Sequence, residues 1–413
     1  MNKKIIETFK DTTQLEIVAL RSKFNLADAH THQSQTSSQM NIVKNLPNLW
    51  LEAEKMLQYD VEQKFIKAFF HALGQNSALL SPENVLLTYA ASISMAIVST
   101  FLKNKNISTS LLHPCFDNIY DLLRYTQVEI HPLEETWLYD SDKIYENLDR
   151  NIVSESIFLI EPNNPTGFSL SIHDEKGWNE LIRYAKDYNK LLIFDFCFSA
   201  FMYGEKGPNL CDRYQLLDRS NVSYIAIEDT GKTWPLQDTK VSLIKMSDNL
   251  FKEIYDIHSA YLLNVSPFVL NLVTQYILDS EKDHFSSVIS LINKNREIAI
   301  EKLSGSILLP LDQEVGVSVL WCKLLNSDIS STELTAFLAD HEIHILPGTY
   351  FFWNKKELGE EYVRIALARD TEVFINCIDR LVSALNLLEK TIKQVKQVKL
   401  NRASSFFFAQ NNT

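Results

Sequence analysis

The sequence is poor in the residues and runs that mark several large classes of protein. Ten glycines in 413 residues exclude a collagen-like chain. The five cysteines, Cys115, Cys197, Cys211, Cys322 and Cys377, are odd in number, far apart and without a CxxC pair. That is neither a disulfide framework nor a zinc site, and it reads as buried free thiols of a reducing compartment. Long hydrophobic runs are missing too: the apolar stretch 90–102 is too short and serine-broken to span a bilayer. The N-terminal stretch carries Glu7, Asp11 and Glu16 where a secretory signal needs an uninterrupted apolar core. The expectation is a cytoplasmic protein. Basic residues are in deficit, 40 Lys and Arg against 52 Asp and Glu, for a net charge of −12. Such a chain has no global electrostatic reason to seek nucleic acid or an anionic membrane. No internal repeat or low-complexity block is visible.

What is present is material for a core. A composition 46% hydrophobic and 22% charged rules out disorder and coiled coil. The length suits one large fold or two coupled lobes. From about 85 to 245, short apolar runs alternate with polar helical stretches. VLLTYA, STSLLHP, SIFLIEP, KLLIFDF and SYIAIED predict buried parallel strands, and the alternation predicts an α/β sheet with ligands beyond the carboxyl ends of its strands. Residues 51–73 read as one helix. After about 285 the pattern becomes α+β: helix 286–304, strand 315–324, helix 331–341, strands 343–347 and 362–368, and a long helix 371–397. The expected organisation is an N-terminal segment 1–45, a large α/β domain 46–285, a small α+β domain 286–397 and a tail 398–413.

Chemistry-bearing residues cluster at the predicted strand ends. Pro162-Asn163-Asn164-Pro165-Thr166-Gly167 follows SIFLIEP; taken alone it is a turn. Asp195 closes KLLIF, and such a carboxylate is either a helix N-cap or a site residue. Asp229-Thr230-Gly231-Lys232-Thr233-Trp234-Pro235 follows SYIAIE. Its Gly-Lys-Thr suggests a phosphate-binding loop, but that motif needs a glycine where Ala226 stands, and Pro235 falls where its helix should continue. Arg364 lies within the strand YVRIAL, a costly place unless it meets an anion. Together these residues offer an amine for a Schiff base, a carboxylate for a pyridinium nitrogen, an amide for a ring oxygen and a fork for an α-carboxylate.

The order Asn164, Asp195, Lys232, Arg364 resembles the pyridoxal-phosphate enzymes of the class I/II aminotransferase fold, over residues from about 85 to 390. The resemblance implies a fold type I architecture, with a mostly parallel seven-stranded-type sheet in a large domain and a smaller α+β domain. Three positions depart from an aminotransferase. Phe198 stands where the family has a tyrosine, Asp229 and Gly231 where it has serines, and Lys240 where it has an arginine against the phosphate.

The N-terminus narrows the resemblance. Thr13-Gln14-Leu15-Glu16 and Asn25-Leu26-Ala27-Asp28-Ala29-His30 are similar to the opening helix and turn of the PLP- and oxygen-dependent L-arginine hydroxylases and oxidases of nonribosomal-peptide pathways. So are His113-Pro114-Cys115-Phe116-Asp117-Asn118-Ile119, Glu228-Asp229-Thr230-Gly231-Lys232 and Val265-Ser266-Pro267. That subgroup also carries phenylalanine at the position of Phe198. The resemblance implies pyridoxal 5'-phosphate bound as an aldimine to Lys232, with Asp195 at the ring nitrogen, Asn164 at the ring oxygen and Phe116 on the ring face. It places Ser92, Thr230 and Lys240 at the phosphate, Arg364 at the substrate carboxylate, and Thr13 and Glu16 at the guanidinium of L-arginine. It singles out His30 as the residue that directs the outcome toward hydroxylated product. The resemblance further implies oxygen as co-substrate, no required metal and a homodimer. A hydroxyarginine cyclase or dehydratase and a conventional aminotransferase are the alternatives.

Overall fold

The computed structural model describes residues 11–172, 175–203, 207 and 210–410. It opens on helix α1 (Thr12–Ala19), capped by the Asp11 side chain accepting from the Gln14 N–H, and the short strand β1 (Phe24–Asn25). Helices α2 (Ser37–Lys44), α3 (Leu46–Ala53) and α4 (Gln58–Ala72) follow. The single helix expected over 51–73 is therefore two. Between Ala53 and Val61 no residue is fully buried, so no packing holds a continuous helix there, and Leu57 is extended.

The large sheet is built from β2 (Val85–Thr88), β3 (Thr109–His113), β4 (Ile130–Glu134), β5 (Ser156–Ile160), β6 (Leu191–Asp195), β7 (Tyr224–Asp229) and β8 (Ser242–Met246). The strand order is β2-β8-β7-β6-β5-β3-β4, and β8 alone runs against its neighbours. Every residue of all these strands except β4 is buried, which is why five of them read in the sequence as continuous apolar runs. The expected mostly parallel seven-stranded sheet is present. Helices α5 (Ala91–Lys105), α6 (Asp117–Tyr125), α7 (Ile144–Asn151), α8 (Lys176–Asp187), α9 (Arg213–Ser220), α10 (Asp248–Tyr261) and α11 (Pro267–Lys282) connect and cover it. Among them α5 packs on α6 and α10, α7 on α8, and α11 on α3 and α4.

Helix α12 (Ser286–Leu303) leads to the second sheet, of β9 (Leu308–Pro310), β10 (Val319–Leu324), β12 (Leu346–Pro347) and β13 (Tyr362–Ala366), in the order β12-β13-β10-β9 and antiparallel throughout. Helix α13 (Ser331–Asp340) and β11 (Ile343–His344) lie between β10 and β12. The strand expected over 343–347 is split, because β11 pairs in parallel with β1 of the N-terminal segment while β12 pairs with β13. Helix α14 (Thr371–Gln410) continues past the end expected near 397, and residues 411–413 of the tail lie outside the described residues. Among the described residues no helix is long and apolar enough to cross a membrane.

Candidate active site

From β3 the chain steps outward to the edge strand β4, whereas β5, β6 and β7 step the opposite way. The crevice beyond the carboxyl ends of β3 and β5 is thus the switch point of the sheet, where ligands bind in this class of architecture. The loops bordering it carry Phe116 and Asn164. They are tied together by Glu135, a buried carboxylate that accepts from Asn163 Nδ2, from Thr166 Oγ1 at 2.6 Å and from the Tyr139 hydroxyl at 2.8 Å. Asn163 Nδ2 also donates to the Pro114 carbonyl at 2.9 Å. Burial pushes Glu135 up to about 6, against the pull of those hydrogen bonds. Phe116 is half-buried at the start of α6.

Asp195 ends β6, buried, with Oδ1 accepting the Cys197 N–H at 2.9 Å; burial pushes it up to about 6. Asp229 ends β7, also raised by burial, with Oδ2 accepting from the Gly231 N–H at 3.0 Å and Oδ1 without a partner among the described residues. The charge of half-buried Lys232 works against burial at both acids. No helix follows Lys232: the chain turns and returns as β8, so the phosphate-loop reading fails in the structure as it does in the sequence. A Cβ on Gly231 would sit 2.7 Å from Lys240 Cδ, so a side chain there would have to push the Lys240 chain that crosses over it aside. The Thr230 hydroxyl donates to the Val241 carbonyl at 3.0 Å and accepts the Val241 N–H at 2.8 Å. Its single proton is committed to the β7–β8 turn. Ser92 is exposed in the first turn of α5.

The N-terminal segment closes over these strand ends. The Thr12 N–H donates to Asp117 Oδ2 at 2.8 Å and the Thr12 hydroxyl donates to Oδ1, pinning the start of α1 to the first turn of α6. One turn later Glu16 Oε1 accepts from Arg364 Nη2 at 2.7 Å, and Arg364 Nη1 donates to Asn164 Oδ1 at 3.2 Å. Thr13 is half-buried on the same helix. Arg369, buried, donates to the carbonyls of Asn25, Asp28 and His30 and so fastens the segment to the second sheet. Asp28 is a hub, with Oδ1 2.6 Å from His30 Nδ1 and Oδ2 2.5 Å from His32 Nε2. Burial would raise the Asp28 carboxyl, but the two histidine bonds hold it well below the usual carboxylate range. His30 Nε2 lies 3.3 Å from Lys240 Nζ. An ammonium only donates, so Nε2 accepts, and the ring's own proton sits on Nδ1 facing Asp28. Asp28, His30, His32, Gly231 and Lys240 line a cavity of about 290 Å³.

The structure therefore brings Asn164, Arg364 and Glu16 into direct contact, and His30 into contact with Lys240. Ser92 and Thr13 hydrogen-bond no other site residue among the described residues. Glu135 and Arg369 escaped the sequence reading, since most of their partners are distant in the chain, and Asp117 entered it only within the His-Pro-Cys-Phe-Asp run. The donor set fits pyridoxal phosphate. Asp195 and Asp229 are buried acids, and Asp229 Oδ1 and Arg364 Nε are buried atoms without partners among the described residues. A protonated ring nitrogen and a carboxylate are the groups such atoms lack.

Comparison with known proteins agrees with the fold. Residues 52–381 match the family model for aminotransferase class I and II. The chain belongs to the class I and II aminotransferase family, whose expected cofactor is pyridoxal phosphate. Within that family, the structure of MppP soaked with the product 2-ketoarginine is similar at 30% identity and a TM-score of 0.78, over 87% of this chain and 99% of that one. An aspartate aminotransferase of Pyrococcus horikoshii is 22% identical over 254 residues, and the match spans 61% of the length of each protein. A Thermus thermophilus aspartate aminotransferase double mutant shares the fold, with a TM-score of 0.71 at 13% identity over 93% of this chain and 100% of that one.

Proposed function

We propose that the protein uses pyridoxal phosphate and oxygen to oxidise L-arginine, or a close guanidino amino acid. The products are 2-ketoarginine and its 4-hydroxylated form, as part of specialised-metabolite biosynthesis. The observation that carries this reading is a surplus of buried acid around the site. Glu16, Asp28, Asp195 and Asp229 are all buried. Of the cations there, Arg364 is assigned to the α-carboxylate, half-buried Lys232 and Lys240 to the cofactor, and Arg369 spends its donors on backbone carbonyls. A dicarboxylic substrate would meet like charge there, whereas a guanidinium brings five donors and a positive charge. The 2-ketoarginine described as product of the similar MppP supports the same substrate class. Phe198, buried where the family carries a tyrosine, supports chemistry other than amino transfer.

When bound, pyridoxal phosphate supplies an electron sink for a carbanion at the substrate Cα. Lys232 in this reading holds the cofactor and then removes the Cα proton with its freed amine. Asp195 keeps the ring-nitrogen proton in place, Asn164 bonds the ring oxygen and Phe116 covers the ring face. Ser92 and Lys240 receive the phosphate, with Thr230 building the turn that carries Lys232. Arg364 holds the α-carboxylate, and Thr13 and Glu16 the guanidinium. His30, its tautomer set by Asp28, handles the water or proton that separates hydroxylated from unhydroxylated product. Helix α1 and the segment behind it keep bulk water from the site. The assembly in this reading is a homodimer, for which exposed Trp50, Leu51, Leu57 and Tyr59 offer apolar surface.

The reading is tested by a substrate panel on the PLP-loaded protein, following ammonia release and amino-acid loss. L-Arginine is expected to be consumed well ahead of L-norleucine and L-aspartate. Preference for aspartate, with amino transfer to a keto acid, would favour the family's aminotransferase activity instead.

A further inference from the structure

Arg364 is fully buried, yet its guanidinium is not open to a carboxylate. Nη2 donates to Glu16 Oε1 at 2.7 Å and to the Ala27 carbonyl at 2.6 Å, which uses both of its protons. Nη1 gives one proton to Asn164 Oδ1 at 3.2 Å, and Nε has no partner among the described residues. A guanidinium offers a carboxylate two bidentate edges, Nη1 with Nη2 and Nε with Nη2. Both edges include Nη2. No bidentate carboxylate site exists on Arg364 while Glu16 is in place.

From this geometry we infer that Glu16 is an exchangeable internal carboxylate: it occupies Arg364 in the substrate-free protein, is displaced by the substrate α-carboxylate, and is thereby released to take the substrate's cationic end. The inference rests on the reading of Arg364 as the α-carboxylate fork. The exchange keeps the buried guanidinium neutralised at every stage, since one carboxylate leaves only as another arrives. It also needs no undocking of α1. The helix is held at its start by Thr12 on Asp117, and the chain beyond it by β1 pairing with β11 and by Arg369, so Glu16 moves as a side chain. A substrate lacking a cationic end gains the fork but leaves the displaced Glu16 without a partner. The exchange therefore selects for amino acids that carry positive charge at the far end.

The test is binding of L-norleucine and L-arginine to PLP-loaded wild type, Glu16→Gln and Glu16→Asp, by titration calorimetry under nitrogen. Norleucine has the aliphatic chain without the guanidinium. Glutamine is a neutral and weaker competitor for Arg364, and aspartate is too short to bridge to it. Both variants should bind norleucine more tightly, by roughly tenfold, and Glu16→Gln should bind arginine more weakly, by about ten- to a hundredfold. Opposite signs for the two ligands are the signature. Norleucine affinity unchanged or lowered in both variants shows that Glu16 does not obstruct Arg364 and overturns the inference. Arginine tightened along with norleucine shows obstruction without hand-over and overturns it as well. A parallel Arg364→Lys variant isolates the underlying assignment: if norleucine binds it as well as wild type, the fork reading itself is wrong and the exchange falls with it.

Discussion

Arg369 offers a measurable handle on how the N-terminal segment is held. Its guanidinium donates from Nε to the Asn25 carbonyl at 3.1 Å, from Nη2 to Asp28 at 2.7 Å and from Nη1 to His30 at 3.1 Å. A second Nη1 bond, at 2.9 Å, stays within the second lobe at Ala368. Burial pulls its pKa down to about 10. In Arg369→Lys a single ammonium replaces the fork, and at least one segment carbonyl loses its donor. An unsatisfied buried carbonyl costs about 1–3 kcal/mol. Opening the segment relieves that cost by hydrating the carbonyl, so its opening constant should rise roughly 5- to 150-fold. Hydrogen exchange reads this directly. The Leu26 N–H bonds the His344 carbonyl at 2.8 Å and the His32 N–H bonds Ala368 at 3.0 Å, so both amides report on docking. Their exchange should accelerate by that factor while the amides of β6 and β7 stay unchanged. Unaltered exchange at Leu26 and His32 would refute the claim that Arg369 fastens the segment, and equal acceleration everywhere would make it a general stability residue.

Lys232→Ala should lose the yellow colour of the loaded protein together with turnover; a yellow, active variant would remove Lys232 from the site. Burial pushes Asp117 up to about 7, against the Thr12 hydrogen bonds. The folded protein therefore holds this proton more tightly than the unfolded chain, so the group's contribution to stability is lost as pH rises from about 4 to about 7. Thermal melts between pH 5 and pH 8 should show a smaller fall in Asp117→Asn than in wild type, and identical slopes would contradict the assignment. His30→Ala should leave oxygen consumption largely intact and shift product from the hydroxylated ketoacid toward 2-ketoarginine, with peroxide rising; an unchanged product ratio in mass spectra would end the role proposed for His30.

The sheet was legible where burial on both faces writes a continuous apolar run, as in β2, β3, β5, β6 and β7. Two strands were not. β4 is an edge strand with His131 and Pro132 in it, tolerable there because one side of an edge needs no partner. β8 contains Lys245, whose Nζ escapes to the Ser81 carbonyl at 2.8 Å, so a buried strand reads as a broken one. Within the site, Asn164, Asp195, Lys232 and Arg364 were legible because each sits in or just after a recognisable strand. The Glu16–Arg364 pair was not, since its members lie 348 residues apart and each taken alone has an ordinary surface or substrate role. Glu135 and Arg369 carry no local pattern either; their meaning lies in the carbonyls and amides that the fold brings to them. The N-terminal strand β1 was hidden by its length of two residues and shows itself only by splitting the strand expected over 343–347.

The central claim is that oxygen, and not a keto acid, accepts the electrons taken from arginine. An oxygen electrode on the PLP-loaded protein with L-arginine as the only other reactant measures it. The account predicts oxygen uptake in proportion to arginine lost, with ammonia released and products of the mass of 2-ketoarginine and its hydroxylated form. Loss of arginine only when 2-oxoglutarate is supplied, with glutamate accumulating and no oxygen consumed, would contradict it.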